Sequence, residues 1–410
     1  MAGLIGFWRR LPWWARVTAV FAGGRTIDTA LLLWMAAIEG RNAWTAAHPG
    51  YFAFANIWDG RWYQIIASAY SRALPFGNYP VTLPYDTAGH VQQNAWAFLP
   101  GYPYVVKGMM LLTRLPWEQS AVIVSLLCAW GATLVFYKLM RLRLRPSTAM
   151  YATVLFSVAP VAALFQVAYA EAMYGFLLAL ILYLLLRRRY WLMLPVIVVA
   201  AFTRPSGLAV ALTLGLHVLW RLWARWRRGD EYRMPQLVAS VVAVLVALVS
   251  GVAWPLIAAR VTGVPDAYTA TELSWRAAYT GWGGLVPFAS WIDGAKWWFT
   301  LWLGLPAWVG YVALAALVAL FALLLLSPAA RRLGVDLRLW SASYALYVLA
   351  VFFPQSSTFR ILFPLFPMLG ILAQPRSRWY RVGMVVASIA AQLGWLLLCW
   401  TIGDYDWSPP

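Results

Sequence analysis

Six ionisable residues stand where a hydrophobic chain would not be expected to carry charge: Arg25, Asp28, Asp59, Glu171, Arg204 and Arg360. The best placed for chemistry is Asp59, in Asn56-Ile57-Trp58-Asp59-Gly60-Arg61-Trp62-Tyr63. A general base must reach the proton it removes, in a site poor in water. Trp58, Trp62 and Tyr63 are candidates for excluding that water, and desolvation raises a carboxylate's proton affinity. The same aspartate also suits the start of a helix running from Gly60 to Tyr70, where Asp is a favoured cap. Arg204 and Arg360 have no acid nearby in sequence. Two guanidinium forks of this kind suit a phosphate, or they reach to the membrane interface along their stems. Glu171, in Tyr169-Ala170-Glu171, is a candidate site carboxylate or a helix N-terminal charge favoured by the dipole. Arg25 and Asp28 are three apart on one helical face and can pair with each other.

The elements that must position these groups are membrane helices. Of the 410 residues 63% are hydrophobic and 11% charged, and the mean hydropathy is +0.67; a soluble domain carries about 25% charge. Continuous Leu, Val and Ala runs exclude the alternation of an outer-membrane barrel. About eleven runs approach or reach the length of a spanning helix: residues 17–38, 119–137, 147–165, 170–186, 190–202, 206–220, 235–258, 299–326, 339–353, 361–374 and 382–402. No cleavable signal is evident after the first. The expected architecture is a single polytopic membrane domain over 1–410, with large loops at 39–118 and 259–298. Within the first loop, Ile57 to Tyr70 and Tyr102 to Leu112 are expected as short helices lying on the bilayer, anchored by aromatics.

The net charge of +18 is topological. With the N-terminus inside, the inner segments hold 21 of the 32 basic residues, among them Arg9, Arg10 and Arg16, and only three acids, Asp230, Glu231 and Asp336. That asymmetry orients the chain. It puts both large loops and the tail from Gly403 to Pro410 on the extracytoplasmic side and makes nucleic acid a poor partner. Cys128 and Cys399 fall in apolar runs and read as core residues. His48, His90 and His217 are scattered, and no cluster has metal-ligand spacing. Two spans are irregular. Residues 190–202 are too few to cross alone and end at Thr203-Arg204-Pro205-Ser206-Gly207, where Pro and Gly break the helix. Gln355-Ser356-Ser357-Thr358-Phe359-Arg360 precedes the tenth, with Phe363-Pro364-Leu365-Phe366-Pro367 after it.

Taken in order, Gly24-Arg25, Trp58-Asp59, Ile65-Ile66-Ala67-Ser68-Ala69-Tyr70 and Ala97-Phe98-Leu99-Pro100-Gly101-Tyr102-Pro103 resemble one family. It is the second mannosyltransferase of GPI-anchor synthesis with its bacterial relatives. Tyr169-Ala170-Glu171, Thr203-Arg204-Pro205-Ser206-Gly207 and Phe359-Arg360 with Phe363-Pro364 extend the resemblance over most of the chain; the order of the motifs, each short, carries the specificity. The chain departs from the pattern at Ala69, which replaces a glycine, at Leu99-Pro100-Gly101, and at Arg360, which follows Phe where the family has Arg before Tyr.

The resemblance implies a GT-C multi-span helical bundle with an extracytoplasmic active site. It implies a polyprenyl-phosphate sugar donor, typically carrying mannose, and a lipid or glycan acceptor. Only three of the 32 basic residues are lysine, a bias of GC-rich genomes, and the expected location is a bacterial cytoplasmic membrane. Asp59 matches the position of the family's base. Arg360 and Arg204 would then face the donor phosphate, with Glu171, Arg25, Trp58, Trp62 and Tyr63 in support, and the scheme needs neither a metal nor another cofactor. Broken helices and intramembrane charges also suit a transporter or lipid-linked-sugar flippase, but no inverted repeat is visible and the non-membrane sequence is concentrated on one face.

Overall fold

A computed structural model describes residues 10–68 and 78–402, together with Gly6 and Trp8. Arg9, Ala69, Tyr70 and the tail from Gly403 to Pro410 lie outside the described residues. Among those described, the chain is all-helical, with only an isolated bridge between Tyr85 and Val91.

Among the described residues five helices are long and apolar enough to cross a membrane: Trp117–Arg141, Gly207–Arg228, Met234–Thr262, Ala307–Leu326 and Arg378–Trp400. On that criterion the chain is an integral membrane protein. The remaining expected spans take other forms. The first is the 26-residue helix Trp13–Ile38, about 39 Å long at 1.5 Å per residue, which carries Arg25 and Asp28. Residues 147–165 break into Pro146–Ser157 and a 3₁₀ turn, Ala162–Gln166. Glu171–Leu186 and Tyr190–Ala201 are shorter apolar helices, and 361–374 divides into Phe363–Met368 and Leu369–Leu372. Prolines account for the last break: Pro364 and Pro367 lack the N–H that a continuous α-helix requires. Both short helices expected in the first loop are present, as Asp59–Ala67 and Gly101–Thr113.

The chain divides into two compact units. One comprises residues 1–61, 106–186 and 362–410. In it Trp117–Arg141 packs along Glu171–Leu186, and Phe136, Phe156, Phe165, Phe363 and Phe366 interleave, with ring centroids 4.7 Å apart for Phe136–Phe156 and 5.4 Å for Phe165–Phe363. Gly24 lets Trp13–Ile38 lie directly on the chain at Ser157, whose carbonyl oxygen would be 2.5 Å from any Cβ there.

The other unit comprises residues 62–105 and 187–361. Its centre is the pair Gly207–Arg228 and Met234–Thr262, in contact at Gly207 and Gly251; a Cβ on Gly207 would be 2.5 Å from the Gly251 Cα. A buried chain of hydrogen bonds ties three of its helices together. Tyr190 Oη lies 2.9 Å from His217 Nε2, and His217 Nδ1 lies 2.7 Å from Asp336 Oδ1.

Candidate active site

Asp59 is buried and is the first residue of the helix Asp59–Ala67, where a carboxylate is favoured by the helix dipole. The residue before it fixes this corner. Trp58 has a φ of 58°, a left-handed conformation costing an L-residue about 1–2 kcal/mol. Packing holds it there: Trp58 Nε1 donates to the Trp400 carbonyl at 2.8 Å, and the Trp44 ring meets the indole edge to face at 4.5 Å. The turn ahead of Asp59 is equally tied down. Trp117 Nε1 donates to Asn56 Oδ1 at 2.7 Å, and the Ala168 N–H donates to the Ala55 carbonyl at 2.9 Å. Gly60 is required by this close approach, since a Cβ would lie 2.8 Å from Asn56 Oδ1 and 3.2 Å from the Ala168 Cβ.

The Tyr169-Ala170-Glu171 segment arrives at the same corner. Tyr169 is fully buried, and its hydroxyl accepts a hydrogen bond from the backbone N–H of Asp59 at 3.1 Å. Its ring lies 5.2 Å from that of Trp400. Val167 is held by Ser125 Oγ, which donates to its carbonyl at 2.7 Å. Two residues past Tyr169, buried Glu171 opens the helix Glu171–Leu186. Tyr169 thus connects two motifs that are more than a hundred residues apart.

Arg25 joins a different network in the same unit. Its Nη1 donates to the Ala162 carbonyl at 2.8 Å and lies 2.5 Å from Asp28 Oδ2, while Nη2 donates to the Ser157 carbonyl at 2.9 Å. Gln392 Nε2 donates to Asp28 Oδ1 at 2.7 Å. The pair expected from their spacing is present. It joins Trp13–Ile38 to the 157–166 segment and, through Gln392, to the helix Arg378–Trp395.

The second unit holds Trp62, Tyr63, Arg204 and Arg360. Trp62 stacks on Phe98 at 5.5 Å and meets Trp275 at 6.0 Å; Tyr63 meets Phe98 and Tyr102. Arg204 sits at the expected helix break, where its N–H bonds back to the Ala200 carbonyl at 3.1 Å and Ser206 N donates to the Arg204 carbonyl at 2.7 Å. The sequence offered Arg204 no acidic neighbour; in the fold Arg204 and Glu272 both act on one phenol, that of Tyr268. Burial first, then Glu272, pushes the Tyr268 phenol well above its ordinary value, and Arg204 acts on the same phenol in the opposite direction. The Tyr347 hydroxyl donates to the Pro205 carbonyl. Arg360 is buried in the short helix Thr358–Ile361. The turn before it is closed by Thr358 Oγ1, which donates to the Gln355 carbonyl at 2.5 Å, and the Tyr344 hydroxyl donates to the Ile361 carbonyl at 2.6 Å.

Several of these partners escape a reading of the sequence. Tyr169 carried a signal, its place in a motif with Glu171. Gln392, Trp400, Glu272 and Trp275 carried none, being ordinary residues within apolar or aromatic stretches.

No protein-family model and no curated protein matches the chain. Among solved structures it is similar to ArnT from Cupriavidus metallidurans bound to undecaprenyl phosphate. The TM-score is 0.50 and the identity 18%, over 90% of this chain and 62% of that one. Apo ArnT from the same organism aligns with a TM-score of 0.43 at 15% identity, over 94% of this chain and 75% of that one. The chain therefore spans less than two thirds of the undecaprenyl-phosphate-bound ArnT that it matches. At this identity the similarity shows the fold alone, a helical fold like that of ArnT.

Proposed function

We propose that this protein is a membrane glycosyltransferase that moves a hexose from a polyprenyl-phosphate sugar to an acceptor hydroxyl on the extracytoplasmic face, with inversion. The observation that carries the reading is the corner at Asp59: a buried carboxylate at a helix start, preceded by a residue held in a costly conformation and fixed from behind by Tyr169. Strain of this kind persists only where the surrounding structure over-determines it, and it clusters at functional sites. The GT-C-like fold supports the reaction class. ArnT, which is similar in fold, was solved bound to undecaprenyl phosphate, and this supports a polyprenyl-phosphate substrate.

In this reading Asp59 takes the proton of the acceptor hydroxyl as its oxygen bonds to the anomeric carbon. The anomeric carbon–oxygen bond to phosphate breaks, and its electron pair leaves on the phosphate oxygen. Charge builds there as the sugar becomes oxocarbenium-like, so cations aimed at that oxygen lower the barrier. Arg360 and Arg204 take that role, and Glu171 supports the acidic side of the site. Arg25, engaged by two carbonyls and Asp28, contributes rigidity. Mannose as the sugar and a lipid or glycan as the acceptor follow from the motif resemblance, a bacterial cytoplasmic membrane as the location from the lysine-poor composition, and the positive-inside asymmetry supports the orientation.

The test is turnover of a polyprenyl-phosphate hexose in proteoliposomes. Release of polyprenyl phosphate coupled to sugar transfer supports the enzyme. Net movement of the lipid-linked sugar across the bilayer without cleavage would support a flippase instead.

A further inference from the structure

The aromatic group in the second unit has a geometry that core packing alone does not require. Trp62 and Phe98 are nearly parallel, at 13° and 5.5 Å between centroids. Trp275 is perpendicular to both, 6.0 Å from Trp62 at 78° and 5.8 Å from Phe98 at 85°. Three centroids at such similar spacings place Trp275 along the side of the stacked pair. A ring capping the free face of Trp62 would be much farther from Phe98 than from Trp62. Neither neighbour therefore covers the face of Trp62 that points away from Phe98, and Trp62 is only half-buried.

The second observation concerns Trp275 itself. Its Nε1 is buried and donates no hydrogen bond. Other indoles of the unit are satisfied: Trp96 Nε1 donates to the Pro80 carbonyl at 2.9 Å, Trp254 Nε1 to the Trp96 carbonyl at 3.0 Å and Trp291 Nε1 to the Val348 carbonyl at 3.0 Å. A buried donor without an acceptor is costly, and such groups in native structures call for a specific explanation. Tyr63 and Tyr102 buttress the cluster from behind, both buried, with Tyr63 edge-on to Phe98 at 5.5 Å.

We propose that Trp62, Phe98 and Trp275 form a pyranose subsite, in which the ring's C–H face lies on Trp62 and a sugar hydroxyl accepts from Trp275 Nε1. Aromatic faces are the negative part of the ring quadrupole and attract the electropositive C–H groups on one side of a pyranose. A fixed N–H beside that platform supplies the orienting polar contact that ligand sites add to an apolar wall. This rests on the glycosyltransferase reading for its biological meaning, and the sugar is that of the donor or of a glycan acceptor.

The experiment uses the full chain in detergent. Binding of methyl α-mannopyranoside is followed by saturation-transfer NMR and by the indole N–H resonances of ¹⁵N-tryptophan-labelled protein. The resonance that disappears in Trp275→Phe should shift on adding the glycoside to the wild type. Loss of one hydrogen bond in Trp275→Phe should weaken binding about 3–10-fold, and Trp62→Ala should abolish it. If Trp275→Phe does not fold, loss of the glycoside saturation-transfer signal in Trp62→Ala, against its retention in the wild type, decides. Comparing polyprenyl-phosphate mannose with bare polyprenyl phosphate separates the sources. A smaller affinity gap in Trp275→Phe assigns the subsite to the donor sugar; an unchanged gap with lost glycoside binding assigns it to the acceptor. No resonance shift and no change in glycoside affinity would overturn the proposal and leave a packing cluster. Asp59→Asn should still bind the glycoside, so retained transfer by that variant would remove the reaction while leaving the subsite to its own test.

Discussion

The Tyr169 hydroxyl lies 3.1 Å from the backbone nitrogen of Asp59 and accepts its hydrogen. The side chain of one motif therefore holds the main chain of another. The Asp59 backbone is set from outside its own loop, by the segment that leads into Glu171.

Asp59→Asn is expected to fold and bind donor while losing at least about 100-fold in transfer rate, the range general-base catalysis supplies. Single-turnover assays on the purified variant check this. Retention of more than a few per cent of activity would remove Asp59 from the base role.

Tyr169→Phe leaves the buried Asp59 N–H without its acceptor, at a cost of about 1–3 kcal/mol. The expected signature is a fall in the transfer rate with donor KM little changed, because the contact positions Asp59 and touches no substrate. A donor KM that rises as far as the rate falls would show that Tyr169 is not acting through Asp59.

Arg25→Ala strands a buried Asp28, and breaking such a pair costs about 3–5 kcal/mol. Thermal unfolding in detergent should drop sharply, and the double change Arg25→Met with Asp28→Leu should recover much of the loss. No recovery in the double variant would mean that the Ser157 and Ala162 carbonyls, rather than Asp28, need Arg25.

Arg360→Ala should weaken binding of the polyprenyl-phosphate sugar more than binding of the acceptor. Titration with bare polyprenyl phosphate isolates the phosphate contribution. Equal losses on both substrates would indicate a folding role for Arg360.

Asp86 gives a pH-dependent prediction in the first large loop. The His90 backbone N–H, together with the His90 ring and the Ala88 N–H, holds its carboxyl below the ordinary value of 3.8. The folded value is depressed, so the contribution is present above that ordinary value and is lost as pH falls through the lowered one. The His90 ring also stacks on Trp282 at 4.4 Å. Limited proteolysis between residues 82 and 94 should be constant from pH 8 to about 5 and rise only in stronger acid. Asp86→Asn should remove the dependence.

Much of the helical order was legible because apolar runs and breakers are local properties. Pro205 and Gly207 end one apolar helix and begin the next, and Pro364 and Pro367 break the 361–374 run. The Arg25–Asp28 pair was legible for the same reason, being one helical turn apart. The lengths of the spans were less so: 147–165 reads as one apolar run, yet it breaks between Ser157 and Ala162, where the Ser157 and Ala162 carbonyls take the two Arg25 donors. Residue types and their order singled out Asp59 and Glu171, but not what holds the backbone around them. Gln392, Trp400 and Glu272 act through contacts set by tertiary packing, and no local pattern marks an indole for having an unmet N–H, as Trp275 does.

The left-handed turn at Trp58 also sets an order of events in synthesis. Its indole is anchored by the carbonyl of Trp400, a residue added 342 positions later. A nascent chain that has already inserted its first helices still lacks the group that holds this turn. The geometry around Asp59 is therefore completed late, after the sequence near residue 400 has been made and has docked.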